Sequence, residues 1–203
     1  MATTVADRDR PRTAFVLAGG GSLGAAQVGM LAELCAVGER PDLVVGVSAG
    51  AINAAFFAGE PTQRTTAEMV ALWTSMTTRS ALGLSWRSLL GIVGLADHVA
   101  TAAGLRALLA RELGYHIIEQ AAVPLHVDCA DSLTGEEVTL SRGSVIEAVV
   151  ASSAIPGVFP AVAIGDHVLV DGDSSHSPGQ ASGRSSSACR FARTTGHSAA
   201  VML

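Results

Sequence analysis

The run Gly46-Val47-Ser48-Ala49-Gly50 puts a serine between two glycines at the end of a short apolar segment. G-x-S-x-G in that setting is the pattern of a nucleophile held at a sharp turn between a strand and a helix. Gly46 and Gly50 leave space where a Cβ would collide, and the hydroxyl of Ser48 is left presented. A helix that begins there aims its N-terminus at the site, and its dipole stabilises negative charge as it develops. Those residue types at that spacing suit nucleophilic attack on a carbonyl.

A second glycine cluster, Gly19-Gly20-Gly21-Ser22-Leu23-Gly24, has the form G-x-G-x-x-G between an apolar run and a helical one. One reading is a dinucleotide site, with a pyrophosphate on the helix N-terminus. That reading wants an acidic residue ending the second strand, where this chain has Ser48. The other reading is an oxyanion hole, built from successive backbone N–H groups of Gly19, Gly20 and Gly21. A nucleophile elbow on the next strand favours the oxyanion reading.

A nucleophilic serine needs a base. Six histidines are present: His98, His116, His126, His167, His176 and His197. Asp171 stands apart from them, because it ends an apolar run and precedes Gly172. In a parallel sheet the ends of strands distant in sequence converge on one rim. A carboxylate there can accept the serine proton directly. A turn aspartate that only stabilises the strand end is the alternative. A Ser48–Asp171–His triad using His176 or His197 is a further one.

The elements that must position these residues follow from the pattern. Thr13–Ala18 and Asp42–Val47 read as buried strands, with helices over Leu23–Val37 and from Ala49 to Gly59. Strand–helix–strand–helix at this spacing implies a parallel sheet with covering helices. Thr62–Met76 and Thr101–Leu113 read as amphipathic helices. The apolar stretch Ala81–Val99, with Trp86, reads as a lid, an interfacial surface or ordinary core. Leu125–Cys129 and Glu137–Leu140 form a hairpin, Ser144–Ala151 a short helix, and Val162–Ile164 and Val168–Val170 two strands about a Gly165-Asp166 turn. The fold class expected is α/β: three layers, α/β/α, with a mostly parallel central sheet.

The 203 residues give one domain, expected over residues 13–173. Residues 1–12 read as a disordered arm. Residues 174–203 read as a poorly ordered tail, with eight Ser, three Arg, no acid, and no apolar pattern before Ala199. Hydrophobic residues make up 49% and charged residues 15%, which excludes disorder for the body. The net charge of −5 argues against nucleic acid as a partner. Cys35, Cys129 and Cys189, odd in number and widely spaced, fit neither a disulfide framework nor a zinc cluster, and suggest a reducing, cytoplasmic compartment. The uncharged stretches Thr13–Ala32 and Leu43–Gly59 are broken by Gln27 and Asn53, among other residues, and read as buried structure rather than membrane spans.

Taken together, Gly19–Gly24, Gly46–Gly50 and Asp171-Gly172 resemble the patatin-like phospholipase family in its bacterial branch. Thr134-Gly135-Glu136-Glu137 and the segment Ala151-Ser152-Ser153-Ala154-Ile155-Pro156-Gly157-Val158-Phe159-Pro160 are similar to that family as well. The resemblance runs from Thr13 to Gly172, and the chain reads as truncated or altered beyond the Asp-Gly motif. It implies a three-layer α/β/α fold and hydrolysis of lipid acyl esters by a Ser–Asp dyad without histidine. Ser48 is then the nucleophile, Asp171 the base and Gly19–Gly21 the oxyanion hole. Gly24, Gly46, Gly50 and Gly172 are the motif glycines. No metal or organic cofactor is implied; the partner is a lipid or acyl-ester substrate, with transient contact at a membrane surface. Two rival readings are a Ser-His-Asp esterase of α/β-hydrolase type and a catalytically impaired lipid-binding fragment. Leu23 stands where the family usually has Arg or Lys, and Asp173 where it has Gly or Ala. On an extended path Asp173 faces the same side as Asp171 and raises its pKa.

Overall fold

Thr13–Leu17 (β1) and Leu43–Val47 (β2) are apolar without alternation, as strands covered on both faces must be. In the computed structural model, which describes residues 13–81, 102–175 and 199–203, both are buried almost end to end. Between them lies the helix Gly24–Ala36 (α1), and after β2 the helices Ala49–Gly59 (α2) and Gln63–Ala81 (α3). The chain continues through Ala102–Glu112 (α4), Leu125–Asp131 (β3), Glu137–Leu140 (β4) and Val145–Ser152 (α5). Val162–Ile164 (β5), His167–Asp171 (β6) and Ala199–Met202 (β7) complete the described elements.

The architecture is α/β, as expected, with helices flanking a central sheet. The described strands run in the order β5-β6-β3-β2-β1-β7, with β4 paired to β3. Strands β7, β1, β2 and β3 are mutually parallel, while β4 and β6 run antiparallel to β3. The sheet is thus mostly parallel. Alternation sends Phe15, Leu17, Val44, Leu125 and Val127 into the main core beneath the described helices. The rings of Phe15 and Phe57 stack there, with centroids 6.1 Å apart. Ala14, Val16, Leu43 and Val45 form a second buried cluster on the other face.

Helix α2 is apolar nearly all round and buried nearly all round. Its one strongly polar side chain, Asn53, is 1% exposed and must find partners inside. Its amide nitrogen donates to the Gly24 carbonyl at 2.9 Å and to Gln27 Oε1 at 3.0 Å. Its oxygen accepts from Trp73 Nε1 at 2.9 Å. Gln27 in turn donates to the Ala18 carbonyl at 2.6 Å. This buried polar chain ties α1, α2 and α3 to the end of β1.

Residues 199–203 depart from expectation. Ala199–Met202 is not loose tail but a strand, in parallel register with Thr13–Val16. Leu203 donates its N–H to the Val16 carbonyl at 2.8 Å, and its own carbonyl accepts from Ala18 N at 3.1 Å. An exposed edge of β1 is a row of unpaired donors and acceptors, and this short apolar segment satisfies them. Residues 1–12, the stretch through Trp86 and residues 176–198 lie outside the described residues.

Deleting residues 199–203 is expected to lower stability by at least about 2 kcal/mol, since several backbone hydrogen bonds are lost at roughly 1 kcal/mol each. Urea melts of the two proteins check this; an unchanged midpoint would show that β7 contributes nothing to the sheet.

Candidate active site

Strand β3 has two sides, and the register along it explains the site. Strand β4 lies along one side, pairing with Val127–Ala130. On the other side β2 pairs as far as Val47 opposite Asp128. One residue further along, Cys129 pairs with Asp171 of β6. So β2 stops, and β6 enters the place it vacates from the opposite direction. Ser48 is the first residue after β2, and Asp171 is the last residue of β6. The two strand ends meet head to head on the same side of β3.

Ser48 turns the chain from β2 into α2. It has φ 55° and ψ −126°, and is the one non-glycine residue with positive φ among the described residues. That conformation costs on the order of 1–3 kcal/mol and is held by its surroundings. The turn is tight enough to dictate glycines beside it. A Cβ on Gly46 would stand 2.6 Å from the Gly50 carbonyl oxygen, and one on Gly50 would overlap the Leu17 carbonyl. Ser48 Oγ donates to Asp171 Oδ2 at 2.7 Å.

Asp171 is 3% exposed. Its other oxygen, Oδ1, accepts the Asp173 N–H at 3.0 Å, and its own N–H donates to the Ala154 carbonyl at 2.9 Å. Burial raises the Asp171 pKa above the ordinary carboxylate value; the bonds from Ser48 and from Asp173 N–H oppose the rise, and the Asp173 charge adds to it. The expected effect of Asp173 is therefore present, but not by the expected path. After Asp171 the chain does not stay extended; Gly172–Ser175 is a 3-10 turn. The turn carries the Asp173 carboxylate onto Gly19, close enough that a Cβ there would overlap it. Gly172 itself packs against Val47 and the Asp128 carbonyl, where a Cβ would stand 2.7 and 2.9 Å away.

Gly19, Gly20 and Gly21 leave β1 next to Ser48. Their N–H groups donate to no other described residue. A Cβ placed on Gly19 would lie 3.0 Å from Ser48 Cβ, so this loop packs directly against the serine. Gly24 lies under the ring of Trp73 at the start of α1. Leu23, beside Gly20 in the same loop, is 66% exposed, so an apolar side chain is presented at that point.

None of the described histidines enters the hydrogen bonds of Ser48 or Asp171. His167 Nδ1 instead lies 2.8 Å from Asp131 Oδ2, at the hairpin. His98, His176 and His197 lie outside the described residues. Cys35 and Cys129 are buried free thiols, and burial pushes the Cys129 pKa up, which keeps it protonated. No cluster of His, Cys, Asp or Glu suited to a metal occurs among the described residues.

Two features of the site were not read from the sequence. One is the Gln27–Asn53–Trp73 chain below the glycine loop, visible beforehand only as two polar residues in uncharged stretches. The other is Ser152 in α5, whose Oγ accepts the Ser48 N–H at 2.9 Å.

Beside the site, Asp128 is 6% exposed, and burial pushes its pKa up to about 6, with the Thr139 hydroxyl opposing and the Glu137 charge adding. A carboxyl whose folded pKa is raised stabilises the fold while protonated, and that contribution is lost as pH rises from about 4 through about 6. The loss is of order 3 kcal/mol for a shift of about two units. Asp128→Asn should therefore be more stable than wild type at pH 7 and little different at pH 4, with Asn Oδ1 still accepting from Thr139. Urea melts at the two pH values check this; equal stability at both would contradict it.

The profile of the patatin-like phospholipase family matches residues 15–173. An uncharacterized NTE family protein of Mycobacterium bovis is 32% identical over 164 residues, which cover 78% of this chain and 26% of that protein. An uncharacterized NTE family protein of Mycobacterium tuberculosis matches with the same identity and the same coverage. This chain thus spans about a quarter of the length of the curated relatives it matches. Among solved structures, the ExoU–SpcU complex of the Pseudomonas aeruginosa type III secretion system pairs with 87% of this chain and 42% of its own. That pairing has 20% identity and a TM-score of 0.44, too distant to bear on the fold. In the described residues no helix is long and apolar enough to cross a membrane. The match over residues 15–173, most of the chain, places this protein in the patatin-like phospholipase family.

Proposed function

We propose that this chain hydrolyses acyl esters of lipids through a Ser48–Asp171 dyad. The observation that carries the reading is the 2.7 Å hydrogen bond from a strained elbow serine to a buried carboxylate. Ser48 Oγ attacks the ester carbonyl carbon while Asp171 takes its proton. The N–H groups of Gly19, Gly20 and Gly21 receive the oxyanion, helped by the N-terminus of α2. The tetrahedral intermediate collapses, and the leaving alcohol takes the proton from Asp171. Water then gives a proton to Asp171 and attacks the acyl-serine, releasing the acid and restoring Ser48. Membership of the family and the resemblance to NTE family proteins support a lipid as the source of the ester. The apolar side chain of Leu23 favours substrates that do not need a basic contact there.

With p-nitrophenyl butyrate as substrate, Ser48→Ala is expected to lose at least about 10³-fold in kcat. Asp171→Asn, which keeps the shape but cannot accept the proton, is expected to lose about 10²–10⁴-fold. His167→Ala should stay within about threefold of wild type, being engaged with Asp131. Unchanged hydrolysis in Ser48→Ala would remove the proposal.

The pH dependence follows from Asp171. The base must be ionised, and burial holds its proton on. Activity should thus rise with pH through a midpoint above the ordinary aspartate value of about 3.9. Asp173→Asn removes a like charge and keeps the N–H bond to Asp171, so the midpoint should move down. A midpoint that moves up, or stays fixed, would show that Asp173 does not act on the base.

A further inference from the structure

We infer that Ser152 is a positioning residue for this hydrolysis, and that the end of α5 is the gauge that sets Ser48 against Asp171. The inference rests on the function proposed above. It starts from a backbone that needs holding. Ser48 sits in a conformation serine disfavours, and such a residue stays put only when neighbours over-determine it. Two bonds do so. Its carbonyl accepts from Ala51 N at 2.9 Å, inside the turn, and its N–H donates to Ser152 Oγ at 2.9 Å, outside it.

The direction of the second bond is fixed. A backbone N–H can only donate, so Ser152 Oγ accepts, and its own proton must go elsewhere. It goes to the Asp128 carbonyl at 2.7 Å. The one proton of the hydroxyl is committed to that carbonyl while an oxygen lone pair takes the Ser48 N–H, so the two bonds together fix its rotor. Ser152 is fully buried at 0% exposure, so it touches no solvent. Asp128 is also the residue paired with Val47, the last residue of β2. The hydroxyl therefore bridges the elbow to the strand beside it.

Two residues further on, Ala154 accepts the N–H of Asp171 at 2.9 Å. Ser152–Ala154 thus grips the serine's backbone at one end and the aspartate's at the other. The placement of this gauge is itself fixed. Ser144 Oγ caps the start of α5 by accepting from Glu147 N at 3.3 Å. Arg106 of α4 clamps Glu147 with two bonds of 2.8 Å.

Removing the hydroxyl leaves the Ser48 N–H and the Asp128 carbonyl without this partner, and the elbow is free to relax. A displacement near 1 Å at reacting atoms costs on the order of 10²-fold in rate. Ser152→Ala is therefore expected to lose about 10–100-fold in kcat on p-nitrophenyl butyrate, with KM within about twofold, because Ser152 touches no substrate. Thr66→Val is the control, since it removes another buried hydroxyl, one that bonds only within α3. It should lose stability without losing kcat. Ser152→Thr, which keeps the hydroxyl, should recover most of the rate. Should Ser152→Ala fail to fold, Ser152→Cys takes its place. It keeps the shape with a weaker donor and acceptor, and should lose about tenfold or more.

A kcat within twofold of wild type in the folded Ala or Cys variant overturns the inference, as does a loss that appears in KM alone. The two proposals fail differently. If wild type turns over no ester, both fall. If Ser48→Ala is dead while Ser152→Ala matches wild type, only this inference falls.

Discussion

The site depends on a change of partner along one strand. Over Leu125–Asp128 the free side of β3 is taken by β2, and from Cys129 onward by β6. Because β2 and β6 run in opposite directions, the end of one faces the end of the other. A serine and an aspartate 123 positions apart are brought to hydrogen-bond distance by backbone pairing, before any side chain chooses a rotamer. Side-chain groups on rigid strand ends hold their geometry better than groups on loops. The remaining features of the site serve that junction. Gly46 and Gly50 let the elbow turn inside it, and Gly172 lets β6 come close to Val47.

Burial of the carboxylate has two opposed effects. It raises the pKa of Asp171 and so makes the group a stronger base once ionised. It also makes the charged form costly, so compensation must come from nearby donors. Ser48 Oγ and the Asp173 N–H are those donors, one to each carboxylate oxygen. Asp173 plays both parts at once, because its N–H favours the ionised form while its charge disfavours it. Had the chain run on extended, that N–H would not have turned back to Asp171.

Much of this was legible in the sequence. The elbow, the glycine loop, the hairpin and the short helix over Ser144–Ala151 all follow from local chemistry: glycine where a turn excludes Cβ, apolar runs in buried strands and helices. Asp171 was legible as a strand end. That β6 would approach β3 on the side vacated by β2 was not, because pairing partners of distant strands are fixed by the whole sheet. Residues 199–203 were misread for a related reason. Their serine-rich neighbours set the composition of the window, whereas the backbone of β1 needed only four apolar residues to pair with. Ser152 was legible only as part of a segment resembling the family, and Gln27 and Asn53 only as polar residues in apolar stretches; none had a readable role, because each bonds a backbone group of another element. A type-and-spacing pattern carries no trace of such a bond.

The central claim is that Ser48 is the nucleophile and Asp171 the base that activates it. The most direct measurement is the site and rate of covalent labelling by a fluorophosphonate, read by peptide mass spectrometry. The account predicts a single adduct on the peptide that carries Ser48, formed at least about 10²-fold more slowly in Asp171→Asn. An adduct elsewhere, or equal labelling rates in the two proteins, would contradict it.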